Sequence, residues 1–126
     1  MQQIKTFEEA CKKLGVSPKD LPIVKALPAK HQQALIAHYK LVIIAEALND
    51  GWQPDWNNFS QGKYYPWFDV IATAKKPSGS GLSCDGCDRW LAYTTVGSRL
   101  CYKDSETAKY AGKQFKKLYE EYFLIS

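Results

Sequence analysis

The stretch from residue 29 to residue 49 constrains the fold most, because apolar side chains lie on most of its sides. One helical face, with i, i+4, i+7 and i+11 spacing, is formed by Ala37, Leu41, Ile44 and Leu48. Further apolar side chains flank this face: Leu35, Tyr39, Val42 and Ile43. A helix that is apolar on most sides is buried on most sides. We therefore predict a central core helix, with Pro28 before it and Asn49-Asp50-Gly51 ending it.

A shorter helix is predicted near the start of the chain. Thr6 and Glu9 have the spacing of a capping box, in which Thr6 accepts from a helical N–H and Glu9 reaches back to the Thr6 backbone. Gly15 suits the left-handed position just past a helix end, so the helix spans 7–14. Ser17-Pro18 resembles a second helix start, with a short turn that ends near Pro22.

The second half of the chain is typical of strands followed by a helix. Residues 65–72 and 88–95 alternate, Arg99–Lys103 makes a last short strand, and Asp85-Gly86 between Cys84 and Cys87 is the preferred centre of a type I′ hairpin. Asp104-Ser105-Glu106 provides caps for one C-terminal helix. We therefore predict a single α+β domain, 1–126, in which N-terminal helices precede an antiparallel meander sheet of about four strands and the helices pack on one sheet face.

Aromatic residues are concentrated in residues 52–68, which hold seven of them. Aromatic side chains interleaved with basic ones suit a platform on which the bases of single-stranded nucleic acid stack. Trp67 and Trp90 are the first candidates, because they lie out of register with the face formed by Phe68, Val70 and Ala72. The full candidate set for nucleic-acid or partner binding is Trp67, Trp90, Trp52, Trp56, Tyr64, Lys63, Arg89 and Arg99.

Two alternatives to the stacking platform stay open. Large aromatics also fill the core of a small domain, where each buries about 150–250 Å². Exposed Trp and Tyr are also the usual anchors of protein–protein interfaces. The net charge of +4 permits attraction to phosphate without requiring it, since the lysines are scattered along the chain.

The four cysteines are predicted to be free thiols in a reducing compartment: Cys11, Cys84, Cys87 and Cys101. Cys84 and Cys87 form a CxxC pair, but no second pair completes a four-ligand zinc site, so we predict no metal and keep a Cys84/Cys87 site as an alternative. His31 and His38 lack a catalytic motif, and no cofactor motif is present. The residues favour a non-enzymatic protein and leave catalysis open.

The sequence predicts a cytoplasmic protein without membrane association. The first residues lack the apolar segment of a secretory signal. The longest apolar run, Leu41–Ala45, is far shorter than a membrane span.

Four motifs carry a resemblance to a known group of proteins: GWQPDWNN, KYYPWF, TTVGSRLCYK and AKYAGKQF. The chain resembles a family of small proteins encoded by gut Bacteroides-group bacteria, their prophages and related phages, over nearly its whole length. The resemblance supplies no activity, cofactor or catalytic residue. It implies a phage or mobile-element protein that acts inside a bacterial cell.

Two functions are therefore expected. The first is a non-enzymatic binding protein of phage or prophage origin that contacts single-stranded DNA or RNA through aromatic and basic residues. The alternative is a protein–protein interaction module, such as a virion component, an adaptor or an inhibitor of a host protein. The sequence does not indicate an oligomeric state.

Overall fold

In the computed structural model, which describes residues 4–125, the central helix is α2, Ala29–Asn49. Leu41, Ile44 and Ala47 of this helix are fully buried, which confirms its central place in the core. Asp50 follows it in the left-handed conformation (φ 49°) and donates its N–H to Glu46. No helix within the described residues is long and apolar enough to cross a membrane.

Helix α1, Phe7–Leu14, has the predicted bounds. The Glu9 N–H donates to Thr6 Oγ1 at 3.1 Å, and Gly15 ends the helix at φ 72°. The Glu9 carboxylate accepts from the Lys5 N–H at 3.4 Å rather than from Thr6. No helix forms in residues 17–22; the Ser17 hydroxyl accepts from the Lys19 N–H at 3.2 Å, and the segment is a turn.

The C-terminal helix is two helices, α3 (Ser105–Gln114) and α4 (Lys116–Phe123). They meet at Phe115, whose φ of −110° and ψ of 28° interrupt the helical backbone. Asp104 caps α3 as predicted, since its carboxylate accepts from the Thr107 N–H at 2.8 Å.

The sheet has two strands, β1 (Lys63–Ile71) and β2 (Gly81–Trp90), so the prediction of about four strands is wrong. Residues 91–97 leave the sheet as irregular chain, and Ser98–Leu100 is a 3-10 helix. The predicted last strand is reduced to one antiparallel bridge between Tyr64 and Tyr102. The class remains α+β.

The Asp85-Gly86 pair marks a β-bulge and not the predicted hairpin turn. Trp67 is opposite Gly86 and Phe68 is opposite Cys84, which leaves Asp85 as an extra residue in β2. Gly86 has φ 130°, a conformation that favours glycine in a bulge as much as in a turn. The strands are instead joined by residues 72–80.

Helices α3 and α4 pack against the same face of the sheet. The sequence predicts helices on one sheet face. Gly112 approaches so closely that a Cβ there would lie 2.6 Å from Pro66 Cβ and 2.7 Å from Cys84 Sγ. The hydroxyls of Tyr102 and Tyr119 are hydrogen-bonded at 2.8 Å inside the same core. Burial raises the pKa of both phenols, so this buried pair stays neutral.

Candidate interaction groove along strand β1

A groove of about 320 Å³ runs along β1, and Leu82 of β2 is among the residues that line it. Trp67 and Val70 come from the strand, Val96 and Leu100 from the chain that leads to the Tyr102 bridge, and Phe123 from the end of α4. We call this feature the β1 groove. All of its lining side chains are uncharged.

The register of the hairpin determines which backbone groups face the groove. Tyr64 directs both of its groups away from β2, because it donates to Tyr102 at 3.0 Å and accepts from it at 2.6 Å. Backbone groups alternate along a strand, so Pro66, Phe68 and Val70 direct theirs to the same side. Within residues 4–125 neither the Phe68 nor the Val70 N–H is bonded on that side.

Pro66 is compatible with the middle of β1 because of this alternation. Its missing N–H would have pointed away from β2, so the ladder to Cys87 loses no hydrogen bond. This agrees with the prediction from sequence that Pro66 begins the strand or marks a sheet edge.

Three apolar side chains of the groove are exposed, whereas Leu82 and Leu100 in its floor are buried. Trp67 is 60% exposed, Val70 53% and Phe123 46%. Phe123 is held in place by edge-to-face contact with Phe68, whose ring centroid is 5.9 Å away. Contiguous exposed apolar side chains mark interaction sites on soluble proteins.

The other indoles of the candidate set are at least half-buried. Trp90 stacks on Tyr65 with a centroid separation of 6.2 Å and an angle of 13° between the ring planes. Burial and the neighbouring Asp88 charge raise the pKa of the Tyr65 phenol. Tyr65 lines the β1 groove, so Trp90 supports one wall of the groove from behind.

Lys63 and Trp56 together form a structural tie between two loops. The Lys63 side chain is 1% exposed, and Nζ donates to the carbonyls of Asn58 at 2.9 Å and Leu91 at 2.7 Å. Nζ also lies 5.2 Å from the centroid of the Trp56 ring, close enough for a cation–π contact. The ammonium is therefore engaged inside the protein and is not presented to a phosphate.

Trp52 and Arg99 line a different cavity of about 530 Å³, at the C-terminal end of α2. Lys13 pairs with Asp50 at 3.1 Å in the same cavity. The remaining basic candidate, Arg89, is exposed on β2 opposite Tyr64. The structure thus distributes the predicted site residues over several places and does not assemble them on one platform.

The four thiols lie in different surroundings. Within the part of the chain that the structure describes, no group of three or more His, Cys, Asp or Glu side chains comes together around a common point. Cys84 faces Gly112 of α3, and burial raises the pKa of Cys87. Burial also raises the pKa of Cys101, to about 11, so this thiol stays protonated at neutral pH.

Part of the β1 groove is formed by residues that the sequence did not indicate. Val96, Leu100 and Phe123 are far from Trp67 in sequence, and no local pattern connects them to β1. The apolar end of the chain, Tyr122-Phe123-Leu124, was the only available signal, because apolar residues that end a helix need a neighbour.

Comparison with known proteins yields no relative for this chain. No family model, no curated protein and no solved structure matches it significantly.

Proposed function

We propose that this protein is a protein–protein interaction module that binds a partner in the β1 groove. The observation that carries the proposal is the exposed indole of Trp67 beside an uncharged apolar groove. Tryptophan is enriched among the residues that dominate binding energy at protein interfaces, and such residues sit in apolar, desolvated surroundings.

The resemblance to a phage and prophage family suggests that the partner is a bacterial host protein or a phage protein.

Site-specific photo-crosslinking tests this proposal. A benzophenone amino acid replaces Trp67 in one variant and Phe59 in another, and both are expressed in a Bacteroides-group bacterium, the host that the resemblance implies. Phe59 is the matched control, because it is aromatic and 65% exposed but lies outside the β1 groove. We expect a discrete protein adduct from position 67 and not from position 59. Identical adduct patterns, or no adduct at position 67, would contradict the proposal.

Single-stranded nucleic-acid binding is the second candidate function. The observation that favours it is that Trp52 and Arg99, an indole and a guanidinium, line the same cavity of about 530 Å³. Stacking on an aromatic ring and a basic contact to the backbone are the two elements of such sites.

Titration of labelled single-stranded DNA and RNA at two salt concentrations tests the second candidate. Phosphate-driven affinity falls steeply as salt rises. We expect Arg99→Gln to weaken binding and to reduce the salt dependence, with Trp67→Ala as the control that leaves both unchanged. Absence of binding at low salt would exclude this function.

A further inference from the structure

We propose that the partner of the β1 groove is an extended chain segment that adds as a third strand to the outward edge of β1, between Pro66 and Val70. This inference rests on the proposed function and specifies its mode of recognition. An extended segment gains affinity from main-chain hydrogen bonds to a free sheet edge and specificity from alternate side chains.

The path of a third strand already begins in the protein. Tyr102 pairs with Tyr64 in the antiparallel sense through two backbone hydrogen bonds. The chain before Tyr102 then turns away as the 3-10 helix Ser98–Leu100. No strand that the structure describes therefore pairs with the outward edge of residues 66–70, where a continued strand would lie.

The backbone groups on this edge have the pattern that an added strand needs. Phe68 and Val70 each direct an N–H and a C=O outward, and Pro66 contributes a C=O alone. Residues 66–70 span roughly 15 Å of strand, enough to pair with a segment of about five residues.

The side chains of the groove define the chemistry of the segment. Every second residue of an added strand would point into the β1 groove, and the lining there is uncharged. Burying a charged side chain against such a surface is costly unless it is paired. The segment should therefore carry neutral apolar residues at alternate positions.

A matched pair of variants separates backbone recognition from side-chain recognition. Val70→Pro removes the outward N–H and keeps the ladder to β2, since an edge strand tolerates proline at an outward position. Val70→Ala removes both γ-methyl groups and keeps the N–H, so it loses more side chain than Val70→Pro but no backbone donor. One lost hydrogen bond corresponds to about a fivefold change in affinity.

The probe is a display library of random twelve-residue peptides, selected on the full chain. We expect selected peptides with neutral apolar residues at every second position, whose binding requires Trp67. We also expect them to bind Val70→Pro about fivefold or more weakly than Val70→Ala. If the circular dichroism spectrum shows that Val70→Pro does not fold, amide hydrogen exchange in the wild-type protein serves as the test instead. The amides of Phe68 and Val70 should then become protected when peptide binds.

Several outcomes would overturn strand addition. One is equal binding of the peptides to the two Val70 variants. Another is amide exchange at Phe68 and Val70 that does not change when peptide binds. A third is selected peptides with apolar residues three and four positions apart, which is the spacing of a helix. Self-association that Val70→Pro abolishes would assign the edge to a second copy instead. In these cases groove binding itself survives, whereas failure of the proposed function would appear as selected peptides that bind independently of Trp67 or as no selected peptide.

Discussion

At the scale of single residues, Lys63 shows how burial changes the meaning of a basic side chain. In the sequence it lies among aromatics and suggests a phosphate contact. In the structure its ammonium is bonded to two carbonyl oxygens beneath the Trp56 ring. A buried cation satisfied by backbone oxygens contributes to folding, because removing it leaves two partly buried acceptors without this donor.

Lys63→Met should therefore destabilise the protein. Two partly buried carbonyls lose their donor, which costs up to about 1–3 kcal/mol, and the cation–π contact is also lost. Urea denaturation measures the change, with Lys75→Met, at an exposed lysine of the connecting loop, as a control that should shift stability by less than about 0.5 kcal/mol. An unchanged stability combined with weaker nucleic-acid binding would instead assign Lys63 to a phosphate contact.

Asp104 is the second residue with a measurable role. Hydrogen bonds from Thr107 lower the pKa of its carboxyl in the folded protein. A carboxyl with a lowered folded-state pKa adds stability above its unfolded-state pKa, near pH 4, and loses that contribution as pH falls through the folded-state value.

Asp104→Asn keeps a capping side chain and removes the charge. The wild-type protein should be more stable than Asp104→Asn by about 0.3–1 kcal/mol at neutral pH, and this difference should vanish below the lowered pKa. Thermal denaturation from pH 7 to pH 2 measures it, and a difference that stays constant with pH would contradict the assignment. Asp104→Ala, which removes the cap as well, should cost about 1 kcal/mol at neutral pH.

At the scale of elements, the contact of α3 with the sheet depends on a glycine in the helix. Gly112→Ala improves helix propensity by about 1 kcal/mol. The new methyl group would, however, lie under 3 Å from Pro66 and Cys84, which are held in the hairpin. Overpacking of this kind costs about 1–3 kcal/mol, so the net effect should be destabilising.

Denaturation of Gly112→Ala beside Lys113→Ala checks this prediction. Lys113 is exposed on the same helix, so its substitution should change stability by less than about 0.5 kcal/mol. A stabilised Gly112→Ala would show that α3 and the sheet are farther apart in solution.

Some elements could be predicted from the sequence and others could not. Helix α2 and the capped helix α1 could be predicted, because periodicity and caps are local properties of the chain. The Asp85-Gly86 pair could not be resolved, since a hairpin turn and a β-bulge both require a glycine with positive φ. Trp67 and Trp90 were chosen on the same strand parity, yet Trp67 is 60% exposed and Trp90 is at least half-buried. Their exposure, like the opposing wall with Leu100 and Phe123, depends on tertiary packing.

At the scale of the whole molecule, stability should be unevenly distributed. The middle of α2 is buried on most of its sides, whereas the hairpin has one face against helices and an outward edge beside the β1 groove. Regions with few buried contacts and accessible backbone groups open at low free energy.

Amide hydrogen exchange should reveal this distribution. We expect the slowest exchange in residues 41–47 and fast exchange at Phe68 and Val70, with slower exchange at Trp67 and Asp69, which face β2. Because the inward and outward positions belong to the same strand, the inward amides of Trp67 and Asp69 serve as the control for Phe68 and Val70. Equal exchange at all four strand positions would mean that the outward edge is covered in the free protein.

The tie made by Lys63 also has a chemical consequence. An amine-acylating reagent reaches a lysine only when its nitrogen is accessible, and this nitrogen is enclosed by Asn58, Leu91 and Trp56. Acylation of Lys63 therefore has to wait until the two loops separate. The rate at which Lys63 is labelled, relative to the exposed lysines, would therefore measure how often the aromatic-rich segment opens.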